Sequence, residues 1–386
     1  MAPVLTNTYR GDVPLFVGGA ILLSTEGTTQ GDPLAMAMFA LASVPLIRKV
    51  SSEGATKAWF ADDLSSGGKV GPIRSWWDRL VVYGPRFGYY PNALKTVIIA
   101  KEDAKDKAAD VFKDTGIEIS VAGKRYLAGA LGAEKFLEAY VEEKVSTWVT
   151  EVEQLSSFAK SQPHTAFAAF TYGLCHRWTY LTRVLPVTGS FLQPLEDAIR
   201  QKFIPSLTGQ PPCNDQVRKL LALPPRQVGL GIINPLMLKS YSTSAIICQP
   251  LVEAILGQGG RPLKIRFEQH RLKHEQRVRQ RKEQADAAKS LTHELPEDLQ
   301  RTVQAASEQG ASAWLTALPV EQHGFALHKG AFRDAIALRY GWQLPFCPTQ
   351  CSCGVQFEPD HMMTCRQGGY ISLRHNELRY DGKYDG

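Results

Sequence analysis

Apolar side chains change their spacing once along this chain, near Gly132, and that change limits the folds open to it. Beyond it, Phe136, Tyr140, Val145, Trp148, Val149, Val152, Leu155 and Phe158 recur at three- and four-residue steps, the period of a helix that buries one face. Further helical segments follow, with breaks at Pro163, residues 209–213 and residues 223–231, where proline and glycine punctuate the pattern. Before Gly132 the apolar runs are shorter. Residues 13–23 read as a strand or hairpin, 34–47 as a largely buried helix entered through Asp32 and Pro33, and 57–61 as a second strand. Ser65-Ser66-Gly67-Gly68 reads as a turn, 71–82 as a helix stopped by Gly84-Pro85, 94–100 as a β-branched strand and 103–113 as a helix. Residues 117–121 and 124–127 read as two short strands around Gly123, and Trp76 and Trp77 as core positions of their helix. The expectation is an α+β fold in four parts: a strand-and-helix domain over 1–132, a helical domain over 133–257, a basic helical linker region over 258–345, and a Cys/His-rich end over 346–386.

Composition excludes several classes. With 44% hydrophobic and 21% charged residues, neither a disordered nor a fibrous chain fits. No apolar run approaches the roughly 18 to 20 residues of a spanning helix, and no basic segment with a small-residue cleavage site opens the chain, so an intracellular protein without a membrane partner is expected. Seven cysteines in 386 residues are too few for a disulfide scaffold, and four of them fall at 347, 351, 353 and 365. Such clustering in a reducing compartment suggests metal. The net charge is +6, and residues 261–290 carry ten Lys and Arg against four acids, so that stretch holds the whole excess. Phosphate-binding surfaces need such a segment, because neutralised phosphates release condensed counterions. Arg271, Lys273, Arg277, Arg279 and Arg281 are its candidate nucleic-acid contacts; a solvated helix face with paired charges has the same composition.

Two motifs bear chemistry. Gly27-Thr28-Thr29-Gln30-Gly31-Asp32-Pro33 precedes a helix, and Phe60-Ala61-Asp62-Asp63 ends a strand about thirty residues later. Adjacent carboxylates repel unless a cation sits between or beside them. Magnesium resolves the conflict, and two such ions clamp the attacking and leaving oxygens of an in-line phosphoryl displacement. Alone, an Asp-Asp pair after a strand is also what a solvated turn looks like. It is the order of a Gln-Gly-Asp-Pro helix start, an aspartate-bearing strand, a helix and a strand with Lys95 that adds information.

In that order the chain resembles the palm domain of reverse transcriptases, specifically those of non-LTR retrotransposons. The resemblance implies an antiparallel sheet with helices, followed by a helical thumb and a small zinc knuckle, and it implies nucleotidyl transfer with an RNA template, a DNA primer and a dNTP in the nucleus. Gln30, Gly31 and Pro33 would lie under the incoming nucleotide and template, Phe60 beside it, and Asp62 and Asp63 would hold Mg2+. Phe60 departs from the commoner tyrosine. Lys95 matches by position a lysine that protonates the departing pyrophosphate; a snorkelling strand residue is the other reading. The strands around 123–127 resemble a primer-contacting hairpin, and residues 223–231 a segment that recurs in these elements, read here as a punctuated loop.

Cys351, Cys353, His361 and Cys365 supply a Cys₃His set suited to tetrahedral zinc, although one residue separates the first pair where two to four are usual. The resemblance includes such a Cys-x-Cys knuckle. Cys347 is an alternative to Cys351. Residues 368–369 and 374–377 resemble the opening of an endonuclease segment. The family's first catalytic aspartate, expected on a strand upstream of Gln30, has no counterpart, since only Asp12 and Glu26 precede it in other contexts. The expectations are therefore a polymerase fragment truncated at both ends and inactive by itself, or a non-catalytic nucleic-acid-binding remnant of a retroelement.

Overall fold

A computed structural model describes residues 6, 10–25, 27, 31–51, 53–186, 189–238, 241, 244–246, 248–249, 252, 265–344, 347–358, 361, 364–367, 371–373 and 375–376. The fold is mixed α+β. The chain divides into two compact units, residues 1–126 with 131–133, and residues 127–130 with 134–386. Gln30, the Gly257–Gly260 stretch and Arg374 lie outside the described residues.

The first unit is built from small pieces. Strands β1 (Val13–Val17) and β2 (Ala20–Ser24) pair antiparallel. Gly18 and Gly19 turn between them at φ 56° and 84°, the two positive φ values that a tight hairpin turn demands. The hairpin is apolar on both faces: Phe16 is 76% exposed, and Ile21, Leu22 and Leu23 are exposed with it. Helix α1 spans Ala35–Lys49. The Asp32 carboxylate accepts the Leu34 amide at 2.6 Å, so Asp32 and Pro33 make the turn before the helix. The expectation of a largely buried helix is corrected: Leu46 is its one buried residue, while Met36 and Leu41 are 56% and 71% exposed. Only the flank around Leu46 and Val50 meets Trp76 and Leu80.

Strands β3 (Ala55–Phe60) and β4 (Asp63–Gly68) form a second antiparallel hairpin. The expected turn at 65–68 is thus a strand: Ala61 and Asp62 reverse the chain earlier, and residues 65–68 run back beside 55–58. Helix α2 (Val70–Tyr83) comes next. Its adjacent tryptophans serve two clusters, Trp76 with Leu46, Val50 and Leu80, and Trp77 with Phe112 and Ile117. Arg74 fixes α2 to helix α3 (Lys105–Phe112) by a bidentate pair with Asp114, at 2.5 and 2.8 Å, and by the Val111 carbonyl.

The long strand expected at 94–100 shrinks to β5 (Val97–Ile99), preceded by a 3₁₀ turn over Ala93–Lys95. Asn92 causes the difference, since its side chain accepts the Lys95 amide at 3.3 Å and its carbonyl accepts it at 3.2 Å. Strand β5 pairs parallel with β6 (Glu118–Ser120). A last ribbon joins β7 (Gly123–Tyr126) and β8 (Gly129–Gly132) through Leu127 and Ala128, both at positive φ. Among the described residues the strands form four two-stranded ribbons and no continuous antiparallel sheet.

The second unit has one large core. Helix α4 (Glu134–Ala159) buries Leu137, Tyr140, Val141, Val145, Trp148 and Val152, the stripe its period announces. Helices α5 (Pro163–Ala169), α6 (Cys175–Val184), α7 (Gln193–Ala198), α8 (Ile204–Thr208) and α9 (Asp215–Ala222) complete the core. Two π turns, Phe170–Leu174 and Ile199–Phe203, shift the helical phase so that Phe170 stacks on Phe203 at 4.5 Å. Helix α10 (Ile265–His293) is long and mostly exposed, followed by α11 (Glu297–Ala306), α12 (Ala313–Thr316) and α13 (Lys329–Arg339). Arg339 reaches back to residues 225–228, donating to the Pro225 carbonyl at 2.8 Å and the Val228 carbonyl at 3.3 Å. The Tyr340 hydroxyl also donates to Val228, at 2.7 Å.

Candidate functional site

The acidic pair sits on the tightest turn of the first unit. Phe60 and Asp63 are register partners, which leaves Ala61 and Asp62 as a two-residue connection. Ala61 takes φ 51°, a left-handed conformation that costs an L side chain about 1–2 kcal/mol. Side chains directly opposite on paired strands share a face. Trp59 and Leu64 are partners on the face packed over Trp76 and Leu80, so Phe60 and Asp63 stand together on the other, with Phe60 61% exposed. Asp62 occupies the tip, its carbonyl accepting the Tyr89 hydroxyl at 3.3 Å. Burial raises the Tyr89 phenol, and the charges of Asp62 and Asp63 add to that rise. Both carboxylates face solvent. Among the described residues no third acid, histidine or cysteine joins them as a potential metal ligand.

Gly31 has φ 93°, reachable without strain only by glycine, and Pro33 stands in the turn before α1. Lys95 is exposed at the end of its 3₁₀ turn. The strand position expected for it is corrected.

Cys351, Cys353, His361 and Cys365 come together, their ligand atoms all within 4.8 Å of one another. The first two ride a miniature hairpin. Cys351 N–H donates to the Val355 carbonyl at 2.8 Å, the Gly354 amide to Cys351 at 2.8 Å, and Gln350 bridges Gln356. Gly354 takes φ 85° and closes the turn. His361 and Cys365 lie on one helical turn, the Cys365 amide donating to the His361 carbonyl at 2.7 Å. Cys351 Sγ lies 3.6 Å from Cys365 Sγ, and Cys353 Sγ lies 3.1 Å from His361 Nε2. A tetrahedral zinc site would place such pairs about 3.8 and about 3.6 Å apart, so the four donors need small shifts to close on one ion. The Cys351 thiol is lowered to about 6, first by the Cys353 amide and then by the His361 ring. For Cys353 the Val355 amide pulls downward, but desolvation and the neighbouring thiols outweigh it and the net shift is upward. One sulfur already favours the thiolate that a metal binds. These four residues can hold a metal ion, and Cys347 is exposed and not among them.

On α10 the five cationic candidates separate into two groups. Arg271 pairs with Glu268 and with Glu275 at 2.8 Å, and Arg279 with Glu283 at 2.9 Å. Lys273, Arg277 and Arg281 form no ion pair among the described residues. Sequence reasoning missed Arg226, which lies across from this helix on the 3₁₀ turn Pro225–Gln227 and donates to Gln284 at 2.9 Å.

No model of a known protein family matches this chain. No curated protein matches it either. Among the described residues no helix is long and apolar enough to cross a membrane.

Proposed function

We propose that the chain is a portion of an RNA-directed DNA polymerase of the retrotransposon kind, acting in the nucleus on an RNA template, a DNA primer and dNTPs. One observation carries this reading: Asp62 and Asp63 project from a strained two-residue turn with Phe60 beside Asp63 on the open face of the ribbon. Strain held at a turn tip is a feature of functional sites. Divalent cations there supply Lewis-acid stabilisation of in-line phosphoryl transfer. The chain's own part is to fix two carboxylates on a rigid tip, with Gly31 and Pro33 shaping the turn into α1. Gln30 would join them, and Lys95 would deliver the proton to the leaving pyrophosphate. Two carboxylates fall short of a full ligand set for magnesium, so the chain by itself is expected not to extend a primer. The Cys351, Cys353, His361 and Cys365 cluster is read as a structural zinc site, because its donor set leaves no open position.

Iron-directed cleavage tests the acidic turn. With Fe2+ in place of Mg2+, and with ascorbate, dNTP and primed RNA present, backbone scission is expected to cluster around residues 60–64. It should vanish in Asp62→Asn with Asp63→Asn. Scission that ignores those substitutions, or none near the turn, overturns the polymerase reading.

The second reading is a nucleic-acid-binding protein without catalysis. It is favoured by the absence, among the described residues, of a third ligand near Asp62 and Asp63. Under it, nucleic-acid affinity persists while iron cleaves nowhere near the turn.

A further inference from the structure

The four acids of α10 fall on one side of it. At about 100° per residue, Glu268, Glu275, Glu283 and Asp286 lie within about 80° of one another. Arg271 and Arg279 share that side and are consumed in pairs with three of those acids. Lys273, Arg277 and Arg281 recur every four residues on the opposite side, a continuous basic stripe.

Two residues of that stripe open onto a groove of about 410 Å³. Arg277, Gln280, Arg281 and Gln284, at helical steps of three and four, form one wall; the Pro224-Pro225-Arg226 turn forms the other, and Thr316 closes an end. No acidic residue lines it. The far wall is held in place: the Pro225 carbonyl accepts from Arg339 at 2.8 Å and from the Ser312 hydroxyl at 2.7 Å. Arg226 reaches over to Gln284 Oε1, which leaves the Gln284 amide nitrogen free to donate into the groove. Three guanidinium groups without a counter-charge, on two fixed walls, repel one another until an anion enters. Guanidinium matches phosphate in bidentate geometry, and the neutral side chains at 280, 284 and 316 add donors that suit its remaining oxygens.

We propose that the groove between α10 and the Pro225–Gln227 turn binds the phosphodiester backbone of a nucleic-acid strand, with Arg226, Arg277 and Arg281 as phosphate contacts and Arg271 and Arg279 excluded. This deepens the nucleic-acid side of the reading above and does not depend on Asp62 or Asp63. A strand is favoured over a lone phosphate because Lys273 continues the stripe one turn beyond the groove, which gives successive phosphates successive partners.

The test compares two variants of equal charge in the full chain. Binding of a labelled 20-nucleotide RNA is followed by anisotropy across a salt series. For Arg277→Gln with Arg281→Gln, which leaves the Arg226 contact with Gln284 intact, the slope of log affinity against log salt is expected to become shallower by about 1.5 to 2. Affinity should fall roughly ten- to a hundredfold. For Arg271→Gln with Arg279→Gln the slope should stay close to that of the parent chain. Equal losses in both variants would mean bulk charge and overturn the groove, as would an unchanged slope in the first. Mononucleotide binding as tight as the RNA would overturn a strand as occupant, and so would tighter binding to phosphatidylserine vesicles. Asp62→Asn with Asp63→Asn is expected to bind RNA as the parent does; failure of the acidic site would therefore leave this result intact, and the reverse.

Discussion

Glu196 and Arg218 form an ion pair with almost no water around it, their side chains 5% and 3% exposed, joined by two hydrogen bonds of 2.6 and 2.7 Å. Arg218 also donates to the Ile232 carbonyl at 2.7 Å. Removing one partner strands the other as a buried charge, and for Glu196→Leu the expected loss is about 3–5 kcal/mol in a urea melt. Combining it with Arg218→Met should recover much of that loss, because the charge leaves with its partner. Nearby chemistry is pH-sensitive through His164, which stacks on Phe332 at 5.0 Å. Its Nδ1 accepts the Leu327 amide at 3.1 Å, while Nε2 faces the Ala317 carbonyl without closing a hydrogen bond. Burial lowers its pKa below the ordinary 6.5. The unfolded chain therefore binds more protons just below that value, and stability rises with pH up to about 6.5 and then levels off as far as this group is concerned. His164→Asn keeps an acceptor for Leu327 and does not titrate; melting temperatures between pH 5 and 7 should lose part of their slope. A slope identical to the parent's would show that other groups set it. Such residues are silent in sequence. Gly229 reads there as loop punctuation, yet a Cβ on it would lie 1.7 Å from the Leu223 carbonyl oxygen, so the backbone's close approach is what requires glycine.

Elements are legible where their signal is local. The amphipathic period marks α4, and a glycine pair marks the first hairpin turn. Three strand expectations fail for one shared reason: a turn set by a single residue, Ala61 or Asn92, or by the pair Leu127 and Ala128, redirects the chain beyond it. None of these is a strong turn former in its context except Asn92. The basic helix is visible as a charge excess, but counting charges discards their phase, and phase separates Arg277 from Arg279. The Cys/His cluster is legible because four ligands fall within fifteen residues; only coordinates exclude Cys347. Cobalt substitution checks that assignment. One Co2+ per chain with the intense thiolate-to-metal absorption of a tetrahedral site is expected. Cys353→Ser should weaken binding by at least about tenfold, and Cys347→Ser should leave it unchanged. An equal loss for Cys347→Ser would return that residue to the ligand set.

For the molecule as a whole, the two units differ in how much apolar surface each buries. The first holds two small clusters, Leu46, Val50, Trp76 and Leu80 in one and Trp77, Phe112 and Ile117 in the other. The second gathers helices α4 to α9 with α11, α12 and α13 around one continuous core. Since burial contributes about 25 cal/mol per Å², the first unit is the weaker, and native-state hydrogen exchange should reflect it. Amides of α1 are expected to exchange at least about a hundredfold faster than those around Val145 and Val152 in α4. Comparable protection would mean that α1 is covered by something its composition already suits. That composition is core-forming. What sequence does not carry is whether a covering layer exists. The same point applies with more force to β1 and β2. Residues 13–24 contain no charged side chain, and among the described residues their ribbon has no third strand on either edge. Natural edges are guarded by lysine, by proline or by a bulge, and here only Pro14 offers such a guard. In concentrated preparations this ribbon is the place where chains would begin to stack on one another, and a single lysine at Ile21 would be the economical way to keep them apart.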